Sequence, residues 1–361
     1  MIVGSIKEKN PERRISITPD TSKSLKSLGL SVLLEKGYGE NLGYGDEEYR
    51  DNGVEILSEA KEVLVKSNLI CKVNLPDKEH LDLIRENSHL IVENHNQENQ
   101  TNLLKKKINI FALNLLPRIT RAQSMDVLSS QANLAGYRAV IESIYEYERA
   151  VPMMMTAAGT VPAAKVLVIG AGVAGLQAIA TAKRLGAIVS ATDVRLTAKE
   201  QVESLGGKFL TVEGSEDLET KGGYAKEAGE DFKKKQAQML ENAASKNDII
   251  ICTALIPGKS APRIINEKMI KSMKSGSVIF DLAVTQGGNS AYSESDKTVV
   301  KNGVKIIGIS NVMNKLPLTA SNLYAKNIFS FVRNLYSREK KQFIINMEDE
   351  IIKNTLIKGN N

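Results

Sequence analysis

Residues 165–195, KVLVIGAGVAGLQAIATAKRLGAIVSATDVR, leave this chain little freedom in how it folds. A β-branched apolar run, 165–169, is followed at once by Gly170, Gly172 and Gly175 in a GxGxxG pattern. Leu176 to Leu185 reads as a helix that Gly186 caps, Ile188 to Thr192 as a second strand, and Asp193 stands at its end. Strand, tight glycine turn, helix N-terminus, strand and acid is the order a mononucleotide-binding βαβ unit needs. Gly170 permits the turn, Gly172 lets the backbone approach a pyrophosphate, and Gly175 lets helix and strand pack without a Cβ between them. The free N–H groups of the first helical turn then face the diphosphate. A lone GxGxxG also occurs in purely structural turns, and it is the flanking strand, helix and acid that point to a dinucleotide. As a membrane span the stretch fails, because Lys165, Gln177, Lys183 and the glycines interrupt it. The Asp193 carboxylate would accept hydrogen bonds from the adenosine ribose and repel a 2′-phosphate, which favours NAD. Arg195, two positions on, is of the type that holds a 2′-phosphate and argues the other way.

At about 150 residues per domain, 361 residues suggest two or three domains, and 42% hydrophobic residues supply their cores. No run of about 18 apolar residues lacks charge, and MIVGSIKEKN has neither the basic nor the apolar region of a secretion signal, so a soluble cytoplasmic protein is expected. Cys71 and Cys252 sit in the apolar runs LICKV and IIICTAL and read as small core residues. The net charge of +6 comes from lysines spread along the chain, the densest cluster (233–235) having no interleaved aromatics, which indicates a solvated surface and no nucleic-acid site. Three histidines without close Cys, Asp or Glu spacing give no metal centre.

Before the glycine motif, strands are expected at 1–6, 31–37, 54–57, 68–73, 89–95 and 108–114, with helices starting at Pro19, within 46–53 and within 58–67. Strands alternating with helices imply a parallel α/β sheet, so 1–120 already form one such domain. Residues 121–150 contain no proline and have apolar positions at helical spacing, which predicts one long helix crossing to a second domain. Beyond the motif, strands are expected at 207–212, 247–255, 277–284 and 304–309, helices at 227–245 and 265–274, and a second crossing helix at 321–336. A ligand cleft would lie between the domains, beside the carboxyl ends of the strands. Two further stretches stand out. PRITRAQSMD, 117–126, gathers Arg118, Arg121, Gln123 and Asp126 at the start of the crossing helix, where a plain polar helix start is the alternative. EGSEDLETKGGYAKE, 213–227, is charged, with Tyr224 after two glycines, and is either a solvated loop or a closing lid. Residues 337–361 read as a hairpin or short helix followed by a tether, with no role assigned.

PRITRAQSMDVLSSQANLAGYRAV, PMMMTAAGTVPAAK with the motif after it, KEQVESLGGKF, GGYAKE, TALIPGK and DLAVTQGGN together closely resemble the NAD(H)-binding subunit of proton-translocating NAD(P) transhydrogenase. The resemblance runs through nearly the whole chain. It implies an α/β protein of two Rossmann-like, doubly wound parallel-sheet domains (1–128 with 320–361, and 129–319) joined by long crossing helices, with the cofactor cleft between them. It implies that Arg118, Gln123 and Asp126 are catalytic and, with Ser124, Met125 and Ser129, hold the nicotinamide. Gly170, Ala171, Gly172, Val173, Gly175, Asp193, Val194, Arg195, Thr253 and Leu255 would contact the rest of NAD(H), and Gly223 and Tyr224 would lie on a mobile loop. NADP(H) would be bound by a partner beta subunit, the proton path would lie in membrane-spanning subunits, and this chain would be a homodimer, peripheral on the cytoplasmic face of the inner membrane, with no nucleic acid and no metal.

ERRISITP, KV and QGG also resemble alanine dehydrogenase, which needs an arginine, a lysine, a histidine and an aspartate around the amino acid. Arg14 and His95 match. Asn74 and Thr285 stand where the lysine and the aspartate align, and oxidative deamination needs a positioned acid or base. Thr285 departs from transhydrogenases as well, where an acid is usual. Hydride passing directly between two nicotinamides leaves no proton for a side chain to handle, so positioning and water exclusion suffice. Arg118 and Asp126 are then expected to orient each other, and Gln123 to hold the carboxamide or ribose. A non-catalytic NAD(H)-sensing module is a third possibility, marked by absence of hydride transfer with all partners present.

Overall fold

Short β-branched runs form strands whose side chains are buried on both faces, the condition of parallel sheets covered by helices. The computed structural model describes residues 1–94, 105–212, 229–256 and 259–357. Two units result, Met1–Gln131 with Met313–Asn361, and Ala132–Val312.

In the first unit, β1 (Ile2–Ser5), β2 (Ser31–Glu35), β3 (Glu55–Leu57), β4 (Leu69–Cys71), β5 (His89–Val92) and β6 (Asn109–Ala112) form an all-parallel sheet in the order β3-β2-β1-β4-β5-β6. The order reverses between β1 and β4, where a doubly wound sheet leaves its crevice. Val3, Leu34, Leu69, Ile91 and Phe111 pack on one face against Tyr324 and Phe331 of the helix Pro317–Leu335. On the other face Ile70 and Leu90 meet Val63 and Leu64. Thr18 and Thr21 cap the helix Pro19–Ser27 reciprocally, with Pro19 in its first turn.

In the second unit, β7 (Met154–Thr156) and β8 (Gly159–Val161) form a hairpin. The strands β9 (Lys165–Ile169), β10 (Ile188–Thr192), β11 (Lys208–Phe209), β12 (Ile249–Cys252), β13 (Val278–Asp281), β14 (Lys297–Lys301) and β15 (Val304–Gly308) form a sheet ordered β11-β10-β9-β12-β13-β15-β14. Every pairing in it is parallel except β14 with β15. Cys71 and Cys252 are buried free thiols in β4 and β12, as read.

The C-terminal part of the first unit adds β16 (Tyr336–Ser337), β17 (Gln342–Phe343) and the helix Glu350–Thr355. Leu356 bridges Phe111 at the β6 edge, and Ile357 N donates to Ile110 O at 2.8 Å.

The long helix expected over 121–150 is broken. Thr120–Met125 is a 3₁₀ segment, and the α-helix runs from Val127 to Tyr147. Asp126 sits between them with extended backbone, its Oδ1 accepting from Ser129 N at 2.9 Å, the arrangement of an N-cap. The hairpin β7–β8, the helix Lys78–Leu83 and β14 were not anticipated. β14 and β15 turn through Asn302-Gly303, both at positive φ (51° and 73°), a two-residue hairpin signal visible in the sequence. Among the described residues no helix is long and apolar enough to cross a membrane.

Candidate functional site

In the second unit the chain leaves β9 at Gly170, φ +94°, a conformation that requires glycine. A Cβ on Gly175 would stand 1.9 Å from the Gly170 carbonyl oxygen, so this glycine sets the helix against the turn. Gly172 differs from both. Its φ is −76°, an added Cβ would meet nothing within 4 Å, and it caps the helix Val173–Arg184 with no side-chain hydrogen bond. Neither backbone nor packing demands a glycine there. An uncapped helix N-terminus with open space above it suits an anion, because the N–H groups of the first turn have no intrahelical acceptor. Ala171 is buried and Val173 exposed.

Asp193, just past β10, ties the turn together. Its Oδ2 accepts from Ala171 N at 2.6 Å and from Arg195 Nη2 at 2.9 Å, and its Oδ1 accepts from Arg195 N and Nε at 2.9 Å each. Burial pushes its carboxyl up, but the Arg195 and Ala171 donors outweigh that and hold it below the usual range. Asp193 is therefore ionised near neutrality and already shares its oxygens with the arginine beside it. Val194 lies half-buried between the two.

Thr253 opens the loop after β12. Its Oγ1 donates to Gly170 O at 2.9 Å and contacts Ile169 O at 3.2 Å, pinning the nucleotide turn from the neighbouring strand. Leu255 lies exposed beyond it. Sequence reasoning assigned no role to Asn289, which is wholly buried and holds this loop: Nδ2 donates to Ala254 O (2.9 Å) and Pro262 O (2.8 Å), while Oδ1 accepts from Ala254 N (3.1 Å). Asn289 is held in turn by Asp281, whose Oδ2 accepts from Asn289 N, Ser290 N and Ser293 Oγ. The available signal was an aspartate ending a strand followed by Gly-Gly-Asn. The Gly170 turn, open Gly172, Asp193 and the Thr253 loop fit a dinucleotide.

In the first unit, the segment around 117–126 shows alternate faces. Ala122 and Met125 are buried in the core, while Arg118, Gln123 and Ser124 are exposed. The Gln123 amide takes no hydrogen bond among the described residues. Arg118 and Asp126 were expected to orient each other; the hydrogen bonds seen at Asp126 are local, its Oδ1 and Oδ2 accepting from Ser129 N and Oγ at 2.9 and 2.6 Å. Capping the helix uses the carboxylate locally. Gly223 and Tyr224 of the expected lid, and His95, lie outside the described residues.

The family models "Alanine dehydrogenase/PNT, N-terminal domain" and "Alanine dehydrogenase/PNT, C-terminal domain" match residues 4–135 and 139–360. An NAD(P) transhydrogenase subunit alpha chain of Rhodospirillum rubrum is 50% identical over 362 aligned positions, covering 97% of this chain and 94% of that protein. A crystal structure of transhydrogenase from Sinorhizobium meliloti superposes with a TM-score of 0.88 at 46% identity, covering 99% of this chain and 98% of that one. An L-alanine dehydrogenase structure shares the fold, with a TM-score of 0.83 at 23% identity over 99% of this chain and 94% of that one. With both units matched and half of its residues shared along almost the full length, the chain belongs to the alanine dehydrogenase/PNT family and, within it, to the NAD(P) transhydrogenase alpha subunits.

Proposed function

We propose that the chain binds NAD(H) on its second unit and exchanges hydride with NADP(H) held by a partner beta subunit, the exchange being coupled to proton translocation through membrane-spanning subunits. The observation that carries dinucleotide binding is Gly172, a glycine for which neither the packing nor the backbone of the chain gives a reason, at an uncapped helix N-terminus. Bound nicotinamide supplies the hydride donor or acceptor. The chain's residues supply position. The diphosphate is received by the first helical turn, and Asp193 accepts the ribose hydroxyls while staying paired with Arg195. Because Asp193 draws on the Nε and Nη2 donors of Arg195, it works against capture of a 2′-phosphate as well as repelling one, which favours NAD(H). Exposed Gln123 hydrogen-bonds the nicotinamide carboxamide or ribose, with Arg118, Ser124, Met125, Asp126 and Ser129 shaping its surroundings. No proton has to be moved, so no titrating base is required. Thr253, Leu255, Gly223 and Tyr224 complete the enclosure that keeps water out.

The chain works as a homodimer lying against the cytoplasmic face of the inner membrane. The dimer is supported by Met153, Met154 and Met155, which are 63%, 41% and 82% exposed at the hairpin β7–β8, an apolar edge that a second copy would cover. An amino-acid dehydrogenase of this pattern needs an arginine beside the amino acid, the position Arg14 matches. Here its Nη1 donates to Gln131 (3.1 Å) and pairs with Glu93 (2.8 Å), while Nε and Nη2 donate to Glu12. Gln123→Asn shortens the reach of the amide by one methylene and is expected to slow transhydrogenation at least ten-fold while NADH affinity stays within a few-fold. An unchanged rate would remove Gln123 from the mechanism.

A further inference from the structure

The 3₁₀ segment Thr120–Met125 carries Gln123 on its exposed side, yet it does little to fix its own shape. A six-residue 3₁₀ turn has poor internal hydrogen bonds. Its flanking bonds, Ala122 N to Ile119 O (3.0 Å) and Asp126 N to Gln123 O (3.3 Å), are local, and the burial of Ala122 and Met125 in the core seats its inner face without fixing the polar backbone on the Gln123 side. The fixing groups come from elsewhere in the same unit. Asn327, buried on the helix Pro317–Leu335, donates from Nδ2 to the carbonyl of Ser124 at 2.9 Å and accepts on Oδ1 from Ser130 Oγ at 2.7 Å. It thus spans the point where the 3₁₀ segment gives way to the α-helix. Two turns further along that helix, Asn334 accepts from Arg121 Nη1 at 3.1 Å. Arg121 also makes a two-pronged pair with Asp349, Nη1 to Oδ2 at 3.0 Å and Nη2 to Oδ1. Asp349 is itself held: Asn334 Nδ2 donates to its Oδ2 at 3.1 Å, and its Oδ1 accepts from Ile351 N at 2.9 Å as the cap of the helix Glu350–Thr355.

We infer that Asn327, Arg121 and Asp349 are positioning residues for hydride transfer, a two-point clamp that holds the Gln123 segment from behind; the catalytic part of this rests on the transhydrogenase reading above. The clamp gives the C-terminal segment a role that its sequence did not suggest. Leu356 and Ile357 fasten it to the edge of β6, and Asp349 is presented to Arg121 from there. Arg121 is more than half exposed, and a surface pair of that kind adds little to the stability of a fold. What it fixes is where the residues between its two anchors lie. Misplacing a group by a fraction of an ångström is felt by hydride transfer far more than by binding of the adenosine end in the other unit.

The test uses the full chain assembled with an NADP(H)-binding transhydrogenase partner. Three variants are compared with wild type: Asn327→Asp, which turns an acceptor towards the Ser124 carbonyl; Arg121→Gln; and the charge exchange Arg121→Asp with Asp349→Arg. Hydride transfer at saturating NADH, NADH affinity, and amide hydrogen exchange over 120–126 are measured on each. The two single variants are expected to transfer roughly ten-fold more slowly, keep NADH affinity within about three-fold, and exchange the segment's amides roughly ten-fold faster. The charge exchange is expected to recover most of both losses relative to Arg121→Gln. Unchanged exchange and transfer in both single variants would overturn the clamp while leaving the functional reading intact. Loss of transfer matched by loss of affinity and of melting temperature would overturn it too, by reducing the contacts to fold stability. Absence of transfer by the wild-type assembly would overturn the functional reading and the catalytic half of the clamp, even if amide exchange still showed the segment anchored.

Discussion

The two sheets reverse their strand order at equivalent points, and the chain treats those points in opposite ways. In each, the residue after the fourth strand of the order reaches across to carbonyls at the exit of the third. Thr253, after β12, bonds Gly170 and Ile169. Lys72, after β4, donates from Nζ to Lys7 O at 2.8 Å and Ile6 O at 3.4 Å, and pairs with Glu8 at 3.2 Å. A small hydroxyl beside a glycine turn keeps the crevice of the second unit open. A buried lysine and glutamate, joined by Tyr324 donating to Lys72 O and by the Arg14 pairs, fill that of the first. On the function proposed above, two sheets with the same strand order around their switch points hold one nucleotide site, in the second unit, and the residue after the fourth strand of the order marks the difference.

The sharpest way to break this contrast lies within the glycine motif. Gly175→Ala should destroy the turn, abolishing measurable NADH binding and costing about 3 kcal/mol or more of stability, since its Cβ would overlap Gly170 O. Gly172→Ala, with open space and an ordinary φ, should melt within about 1 °C of wild type yet bind NADH at least ten-fold, about 1.4 kcal/mol, more weakly. Calorimetric titration and thermal melts separate the two. In the first unit, Lys72→Met would strand Glu8 and should cost about 3–5 kcal/mol in urea denaturation with NADH affinity intact. Adding Glu8→Gln should return much of that. A nucleotide-binding defect in Lys72→Met would erase the distinction between the crevices.

Smaller effects sharpen it. Asp193→Asn should weaken NADH roughly ten-fold and narrow its advantage over NADPH, because the Arg195 donors then face a neutral amide. Fluorescence titration of both nucleotides reads this directly. The histidines all lie in the first unit's sequence, and burial pushes His89 down to about 4. Its folded pKa is below the ordinary value, so its contribution to stability is complete above about pH 6.5 and is lost as pH falls towards 4. Glu8 and Glu93, raised by burial against the pull of Lys72 and Arg14, act in the opposite sense at the acid end. A proton NMR titration of His89 with a midpoint near 6.5 would contradict its burial between Phe111 and Phe343.

Much of the second unit was legible because its chemistry is local. The glycines, the acid and the strand that follows them are neighbours in the chain, and each is needed by the backbone or by a ligand. The succession of the first six strands along the chain, though not their order in the sheet, was equally readable from alternation of apolar runs. What escaped reading depends on contacts far apart in sequence. The break at Asp126 comes from its own carboxylate capping the helix by accepting from Ser129 N, which outweighs apolar periodicity that continues through it. Asn289 was assigned no role from the sequence, and its bonds to Ala254 and Pro262 give it a task. Arg121 stood beside Gln123 in sequence, but its partner Asp349 lies more than 200 residues away. β14 was signalled by Asn302-Gly303 but was not among the expected strands.

Whether the open crevice feeds a hydride to a partner is tested most directly by mixing the purified chain with an NADP(H)-binding transhydrogenase domain. Reduction of a thionicotinamide analogue of NADP⁺ by NADH is followed, with the chain alone plus pyruvate and ammonium as control. Reduction that needs both proteins, and that Gly172→Ala slows at subsaturating NADH, is the predicted result. NADH oxidation by pyruvate and ammonium without the partner, or no transfer with it, would contradict the transhydrogenase reading.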